Sequence, residues 1–122
     1  MNWIAMIIVI VAVGLFLALS KGGQISAKDA AEYLKQGAQV VDVRTAGEFN
    51  AGHLANSVNI PLDSVAGVVP QKYPDKSRVL LLHCASGMRS GLAQKKLRRL
   101  GYANVFNLGS YDRAGRILGQ VK

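Results

Sequence analysis

Residues 79–90 of this 122-residue chain read Val79-Leu80-Leu81-Leu82-His83-Cys84-Ala85-Ser86-Gly87-Met88-Arg89-Ser90. An unbroken apolar run of this kind is typical of a strand that is buried on both faces of a sheet. Gly87 can adopt backbone angles that are closed to other residues, and Ser90 is expected to cap the helix that follows. We therefore predict a strand, a tight loop and a helix, with several amide groups of the loop pointing at its centre.

Similar strand and helix patterns alternate on both sides of this stretch. Short β-branched or apolar runs occur at 40–43, 58–60 and 104–107. Helical patterns are predicted at 26–35, after Pro61 and at 90–100; Ser26 opens and Gly37 ends the first of them. This alternation predicts an α/β domain with a mainly parallel central sheet. Ligands of such sheets bind beyond the carboxyl ends of the strands, which is where Cys84 falls.

Cys84 is the only cysteine of the chain. A single cysteine excludes an intramolecular disulfide and a metal site built from several cysteines. The thiolate is the reactive form of cysteine, and both a helix N-terminus and the cation of Arg89 would lower the pKa of Cys84. The residues alone leave two interpretations open, a nucleophile and a buried structural thiol.

The first twenty residues differ from the rest. Residues 3–19 carry no charge, and as a helix they would reach roughly 25 Å. We predict a transmembrane anchor over 1–20, a short hinge over 21–23 and a globular domain over 24–122. A cleaved signal peptide ending near Ser20 and a buried soluble helix are the alternatives. All charged side chains follow Ser20, which predicts a single-pass protein of the inner or plasma membrane with its domain in the cytoplasm.

Two further motifs give the chain a family resemblance. They are Val41-Asp42-Val43-Arg44-Thr45-Ala46-Gly47-Glu48-Phe49 and Gly52-His53-Leu54-Ala55-Asn56-Ser57-Val58-Asn59-Ile60-Pro61, and the Cys84 loop follows them. Together they resemble the rhodanese family over roughly residues 24–118. The resemblance implies a rhodanese-like, mainly parallel five-stranded sheet with helices on both faces. It also implies a cysteine that accepts sulfane sulfur as a persulfide and passes it on.

Carried over by position, the resemblance assigns roles to the loop. Cys84 matches the persulfide-forming cysteine, and Arg89 would meet the anionic end of the sulfur donor. The cradle around the sulfur would be formed by Ala85, Ser86, Gly87, Met88 and Arg89.

Four other residues match the family's signature near its N-terminal half: Asp42, Arg44, Glu48 and His53. We interpret them as structural, with a charge pair between Arg44 and Glu48 as a brace between loops. His83 should point away from Cys84 and be buried and hydrogen-bonded. After its last strand the family commonly has paired glycines and a tryptophan, which residues 108–115 lack, so the packing of the C-terminal segment stays open.

The resulting functional hypothesis is a membrane-anchored sulfurtransferase that takes sulfur from a small anionic donor such as thiosulfate and requires no metal or organic cofactor. Two alternatives remain. One is a tethered interaction module with an incidental cysteine. The other is a Cys-dependent phosphatase, whose loop places five residues between Cys and Arg, whereas four separate Cys84 from Arg89. The shorter ring favours sulfur over a tetrahedral phosphate.

Charge bears on the partners. The chain has a formal net charge of +8, but no helix-turn-helix, zinc or aromatic RNA-binding pattern accompanies it, so nucleic acid is not expected. Four basic residues line the helix behind the loop: Lys95, Lys96, Arg98 and Arg99. They form either a solvated helix face or a docking surface for an acidic sulfur-acceptor protein or for anionic lipid.

Overall fold

The computed structural model describes residues 2–20 and 23–121, and within 13–20 it describes the backbone alone. Eleven elements follow one another in this part of the chain. They are α1 (Trp3–Ser20), α2 (Ala27–Lys35), β1 (Gln39–Asp42), α3 (Ala46–Ala51), β2 (Ser57–Asn59), a 3-10 turn (Leu62–Ser64), α4 (Val65–Lys72), β3 (Leu80–His83), α5 (Met88–Arg99), β4 (Val105–Gly109) and α6 (Tyr111–Gly119).

The strands form one parallel sheet in the order β2-β1-β3-β4. The α/β class and the parallel sheet are confirmed. The expected number of five strands is wrong for the described residues, which contain four. Gln24 makes one isolated parallel bridge to Asn107, and the Ile25 N–H donates to the Asn107 carbonyl at 2.9 Å. Ser26 then caps α2, so this extended segment is too short to form a fifth strand.

The core lies on both faces of the sheet, as the unbroken apolar strands predict. On β3, Leu80 and Leu82 belong to one buried cluster together with Cys84, and Leu81 belongs to a second cluster on the other face. Helices α4 and α5 contribute to the first cluster through Val65, Val69, Ala93 and Leu97. Helices α2 and α6 contribute to the second through Ala30, Ala114 and Ile117.

Helix ends follow local capping signals. The Ser26 hydroxyl accepts the N–H of Asp29 at 3.1 Å, and Gly37 follows α2 with φ +93°, as predicted for that helix. Two helices were not anticipated from the sequence, α3 and α6. Thr45 caps α3 through a full capping box with Glu48, and Ser110 caps α6 by accepting the N–H of Arg113. The C-terminal segment is therefore packed as a capped helix.

Helix α1 begins beside Asn2, whose Oδ1 accepts the Ile4 N–H at 2.7 Å. Its first turns expose apolar side chains, among them Trp3, Ile8 and Ile10. Within residues 2–20 and 23–121, no helix meets the length and apolarity that crossing a membrane requires. The predicted transmembrane anchor is thus not supported by the described residues. Lys21 and Gly22 of the predicted hinge lie outside them.

Candidate active site

Cys84 follows β3 directly and is fully buried. Its Sγ accepts the Gly87 N–H at 3.0 Å and the Ser90 N–H at 3.4 Å, and the Ser90 Oγ lies 3.5 Å away. Two of these groups are backbone amides at the start of α5, where a helix favours negative charge. The loop therefore forms a cradle for an anionic sulfur atom, as the sequence predicts.

The cradle decides the ionisation of the thiol. Burial raises the pKa of Cys84, but hydrogen bonds from the Ser90 hydroxyl and from the N–H groups of Ser90, Gly87 and Ser86 outweigh it. The net effect is a pKa below the ordinary value. Since the thiolate is the nucleophilic form, Cys84 combines a protected position with enhanced reactivity.

Ser90 has a different role from the predicted one. The residue that caps α5 is Gly87, with φ +100°, whereas Ser90 lies inside the first turn of the helix. Its hydroxyl lies 2.7 Å from Asn107 Oδ1 and 3.1 Å from the Gly87 carbonyl. Asn107 also donates through Nδ2 to the Gly87 carbonyl at 3.1 Å. Ser90 and Asn107 thus fix both the loop and a donor to the sulfur.

Backbone contacts tie the loop to the chain after β4. The Cys84 N–H donates to the Gly109 carbonyl at 3.3 Å, and the Tyr111 N–H donates to the Ala85 carbonyl at 3.2 Å. A Cβ at Gly87 would lie 3.3 Å from the Gly109 Cα, and Gly87 also requires a positive φ. This close approach explains why the loop needs a glycine here.

Arg89 does not stand free at the site. Its two terminal nitrogens donate to the two carboxylate oxygens of Glu48 at 2.6 and 3.0 Å. These hydrogen bonds are the main cause of the raised pKa of Arg89, to which the charge of Cys84 also contributes. They are likewise the main cause that lowers the pKa of Glu48 to about 2. Arg89 therefore lies beside the sulfur, and Glu48 holds its orientation.

The predicted charge pair between Arg44 and Glu48 is wrong, because each of the two residues has a different partner. Arg44 pairs instead with Asp42, at 2.8 Å, and also donates to the Gly52 carbonyl at 2.8 Å. Asp42 is fully buried and Arg44 nearly so. The pairing follows from spacing, because residues two apart on a strand and its continuation share a face. Arg44 also lies 4.7 Å from the ring centre of Tyr111.

Two histidines complete the set. His83 is fully buried on the face away from the Cys84 cluster, and burial is the main cause that lowers its pKa. In the described structure the only hydrogen bond of its ring is a long one, 3.4 Å, from Nδ1 to the Cys84 carbonyl. His53 Nδ1 lies 2.9 Å from the Phe49 carbonyl, and its ring stacks on Phe49. Neither geometry places an imidazole on the sulfur.

The structure brings together the whole predicted loop, with Glu48 reaching it through Arg89. Asp42, Arg44 and His53 lie outside it, in bracing contacts. Sequence reasoning missed Asn107 and Tyr111, which support the loop from β4 and α6. A polar residue near the end of an otherwise apolar strand, at a sheet's carboxyl edge, is the signal that could have indicated Asn107.

A separate groove of about 530 Å³ opens elsewhere, between α2, α6 and the start of β1. Its lining includes Leu34, Leu54, Leu118 and Val121. None of the residues 84–90 contributes to it, so the chemistry of the thiol belongs to the loop and not to this groove.

Comparison with known proteins agrees with these observations. The family model of the rhodanese-like domain matches residues 26–113. The thiosulfate sulfurtransferase PspE of Escherichia coli is 33% identical over 69 residues, which cover 57% of this chain and 66% of that protein. The chain thus spans just under two thirds of this relative.

Solved structures extend the comparison. A structure described as rhodanese with anions from E. coli superposes with a TM-score of 0.61 at 30% identity, covering 63% of this chain and 91% of that one. The human single domain sulfurtransferase TSTD1 gives a TM-score of 0.64 at 26% identity, with coverages of 75% and 93%. The family model alone covers well over half of the chain. The chain belongs to the rhodanese family.

Proposed function

We propose that this protein is a sulfurtransferase that moves sulfane sulfur from thiosulfate, or a similar small anionic donor, to a nucleophilic acceptor. The observation that carries the proposal is the sulfur of Cys84, held by the amides of Gly87 and Ser90 at the start of α5. Donors placed around a buried sulfur stabilise a thiolate before the reaction and a persulfide anion after it.

In the first step the Cys84 thiolate attacks the outer sulfur of thiosulfate. A sulfur–sulfur bond forms at Cys84 while the bond between the two sulfur atoms of the donor breaks, and sulfite leaves with the electron pair. The total charge is −3 before and after, divided at the end between a Cys84 persulfide anion and sulfite. Arg89, which Glu48 holds in place, supplies positive charge beside Cys84 that the departing sulfite can meet.

In the second step an acceptor such as cyanide or a thiolate attacks the outer sulfur of the persulfide. The bond to Cys84 breaks, and the Cys84 thiolate is regenerated. With a thiolate acceptor the product is the acceptor's own persulfide, so charge and electrons balance without an oxidant. The cradle stabilises the leaving thiolate as it stabilised the attacking one.

Names of relatives support this chemistry. PspE of E. coli is called a thiosulfate sulfurtransferase, and the human structure TSTD1 is called a single domain sulfurtransferase. The size of the loop supports sulfur over phosphate as well, because four residues separate Cys84 from Arg89.

Intact-mass measurement tests the proposal. Thiosulfate should add the mass of one sulfur atom to the protein, and cyanide should remove it. A Cys84→Ser variant is the matched control and should gain nothing. If a folded wild-type protein forms no adduct with several sulfane donors, the sulfurtransferase proposal fails and a role as an interaction module is favoured.

We also propose that residues 3–19 attach the protein to the inner or plasma membrane, with the domain on the cytoplasmic side. The apolar sequence of this stretch, the exposed side chains near its start and the positive charge after Ser20 support the proposal. An alkaline wash of isolated membranes tests attachment, and protease protection tests the side. Release of the full chain by the wash, or digestion of the domain by protease added on the non-cytoplasmic side of the sealed membrane, would contradict it.

A further inference from the structure

Helix α5 presents an exposed row of side chains that begins in the active-site loop. We call the row Met88, Leu92, Lys95, Lys96 and Arg99 the α5 stripe. From one turn of the helix to the next its members are three or four residues apart, and Lys95 and Lys96 are adjacent, so the row lies on one side of the helix. The opposite side, with Ser90, Ala93, Gln94 and Leu97, is buried against the sheet.

The loop end of the stripe is apolar. Met88 is 76% exposed and Leu92 is 50% exposed. Two large apolar side chains that are exposed one helical turn apart form a small apolar surface, and methionine in particular adapts to varied partner surfaces. Ala85 and Ser86, beside the sulfur, are exposed as well. An apolar contact site therefore adjoins the mouth of the cradle.

The far end of the stripe is basic. Lys95, Lys96 and Arg99 are exposed, and none of them forms an ion pair in the described part of the chain. No Asp or Glu occurs in α5. The positive charge of this end is therefore not neutralised by the helix itself and is available to an acidic partner.

We propose that the α5 stripe is the docking surface for the sulfur acceptor, and that this acceptor is an acidic protein with an apolar patch beside its reactive thiol. The inference rests on the proposed sulfurtransferase activity. Carboxylates of the partner meet Lys95, Lys96 and Arg99, and its apolar patch covers Met88 and Leu92. The reactive thiol of the partner lies on a narrow, extended end of that protein, because Cys84 is fully buried and admits no bulky group.

An anionic bilayer is the rival occupant of a basic and apolar stripe. The position of Met88 disfavours it, because this side chain belongs to the same loop as Ala85 and Ser86. A bilayer pressed onto the stripe would lie over these loop residues and hinder both donor and acceptor. A protein partner instead brings its thiol to that place.

A transfer assay with synthetic acceptors tests the proposal. The full chain in a neutral detergent is loaded with labelled sulfur from thiosulfate. It is then offered a short peptide that ends in cysteine and alternates Asp or Glu with Leu, or a matched peptide with Asn and Gln in place of the acids. We expect the acidic peptide to be sulfurated about tenfold faster at low salt, since complementary charge accelerates association. The preference should disappear in high salt.

Two charge-reversal variants locate the effect. Lys95→Glu/Arg99→Glu should abolish the preference for the acidic peptide. Lys28→Glu/Lys72→Glu changes the net charge of the protein by the same amount, but at positions on α2 and α4, and should retain the preference. Turnover with thiosulfate and cyanide should be unchanged in both, which also shows that they are folded. The neutral variant Lys95→Gln/Arg99→Gln provides a milder second test.

The outcomes separate the two proposals. Absence of label on Cys84 contradicts the sulfurtransferase itself, before any acceptor is added. Normal loading without a preference for the acidic peptide, or an equal loss in the control variant, overturns the docking surface alone. So does a stripe variant that transfers normally but binds less to phosphatidylglycerol vesicles than the control does, which would make the stripe a lipid contact.

Discussion

At the scale of single residues, the pKa of Cys84 depends on where the Ser90 hydroxyl directs its hydrogen, because several acceptors lie within reach of it. The Ser90 hydroxyl has one hydrogen and lies near Asn107 Oδ1, the Gly87 carbonyl and Cys84 Sγ. Its shortest contact, 2.7 Å, is to Asn107. The hydroxyl can turn toward the sulfur once that atom carries charge, because hydrogen bonds to charged groups are the stronger ones.

Replacing Ser90 by alanine should therefore raise the pKa of Cys84. The backbone N–H groups stay, but the hydroxyl is the largest of the favourable contributions that offset burial. Alkylation of the thiol near pH 6 should slow by roughly fivefold, the equivalent of one hydrogen bond of about 1 kcal/mol. A pH profile of the alkylation rate measures this.

Ser86→Ala is the matched control, because Ser86 acts on the sulfur through its backbone N–H. Its alkylation profile should follow that of wild type. Identical profiles for Ser90→Ala and wild type would mean that the Ser90 hydroxyl stays on Asn107 and does not act on the thiolate.

The two arginines should respond differently to removal. Arg89→Ala should lower kcat/KM with thiosulfate by roughly 10- to 100-fold, since a hydrogen bond to a charged group is worth about 1.5–3 kcal/mol. Arg44→Ala removes the guanidinium that pairs with the buried Asp42 carboxylate and should reduce the free energy of unfolding by about 3 kcal/mol. Kinetics and thermal melts of both variants decide the matter. An Arg44→Ala protein that melts normally but is inactive would reverse these roles.

At the scale of elements, Glu48 connects two helices. It completes the capping box of α3 with Thr45 and holds Arg89 in the first turn of α5. The sequence motif places Glu48 near Arg44, but the fold brings it to a residue 41 positions away. Contacts between distant segments follow from how the strands are ordered, and no local pattern records that order.

Glu48→Gln isolates this connection, because glutamine can keep the capping box while it loses the charge. The pKa of Glu48 falls from 4.5 to about 2 on folding, so the ionised carboxylate favours the folded state. Wild type should exceed the variant in stability by a constant amount above pH 4.5. The difference should vanish as the pH falls toward 2, where the folded protein also takes up the proton.

Urea unfolding of both proteins across this pH range measures the difference. Glu32→Gln is the control, because its pair with Lys35 is exposed and 3.7 Å long and such pairs contribute little to stability. A difference between wild type and Glu48→Gln that persists at pH 2 would show that the carboxylate stabilises the fold by some route other than its charge.

Local signals account for the elements that the sequence predicts. The apolar run at β3 and the Ser26 cap of α2 act over a few neighbouring residues, and both are confirmed. Helix α3 has no buried residue, so no apolar periodicity marks it. The segment before α2 pairs at one position only, which is why the expected fifth strand is absent from the described residues.

At the scale of the whole molecule, the cradle at Cys84 could be predicted because one contiguous stretch supplies the sulfur, the glycine and the amides. The residues that support the cradle could not be predicted in this way. Asn107 comes from β4 and Tyr111 from α6, and both meet the loop only because β4 lies next to β3 in the sheet. The sequence therefore indicates the chemistry, while the order of strands determines what holds it in place.

The chemistry needs only part of the chain. Both buried clusters of the core consist of residues between Ile25 and Ile117, and every contact described around the sulfur lies within the same range. Deleting Met1 to Ser20 should therefore give a soluble domain that still gains one sulfur atom from thiosulfate. Its kcat/KM should stay within about twofold of that of the full chain, because packing and catalytic contacts are independent of α1. Circular dichroism and intact-mass measurements test this. A truncated chain that is unfolded, or folded but unable to form the persulfide, would show that α1 contributes to the domain itself.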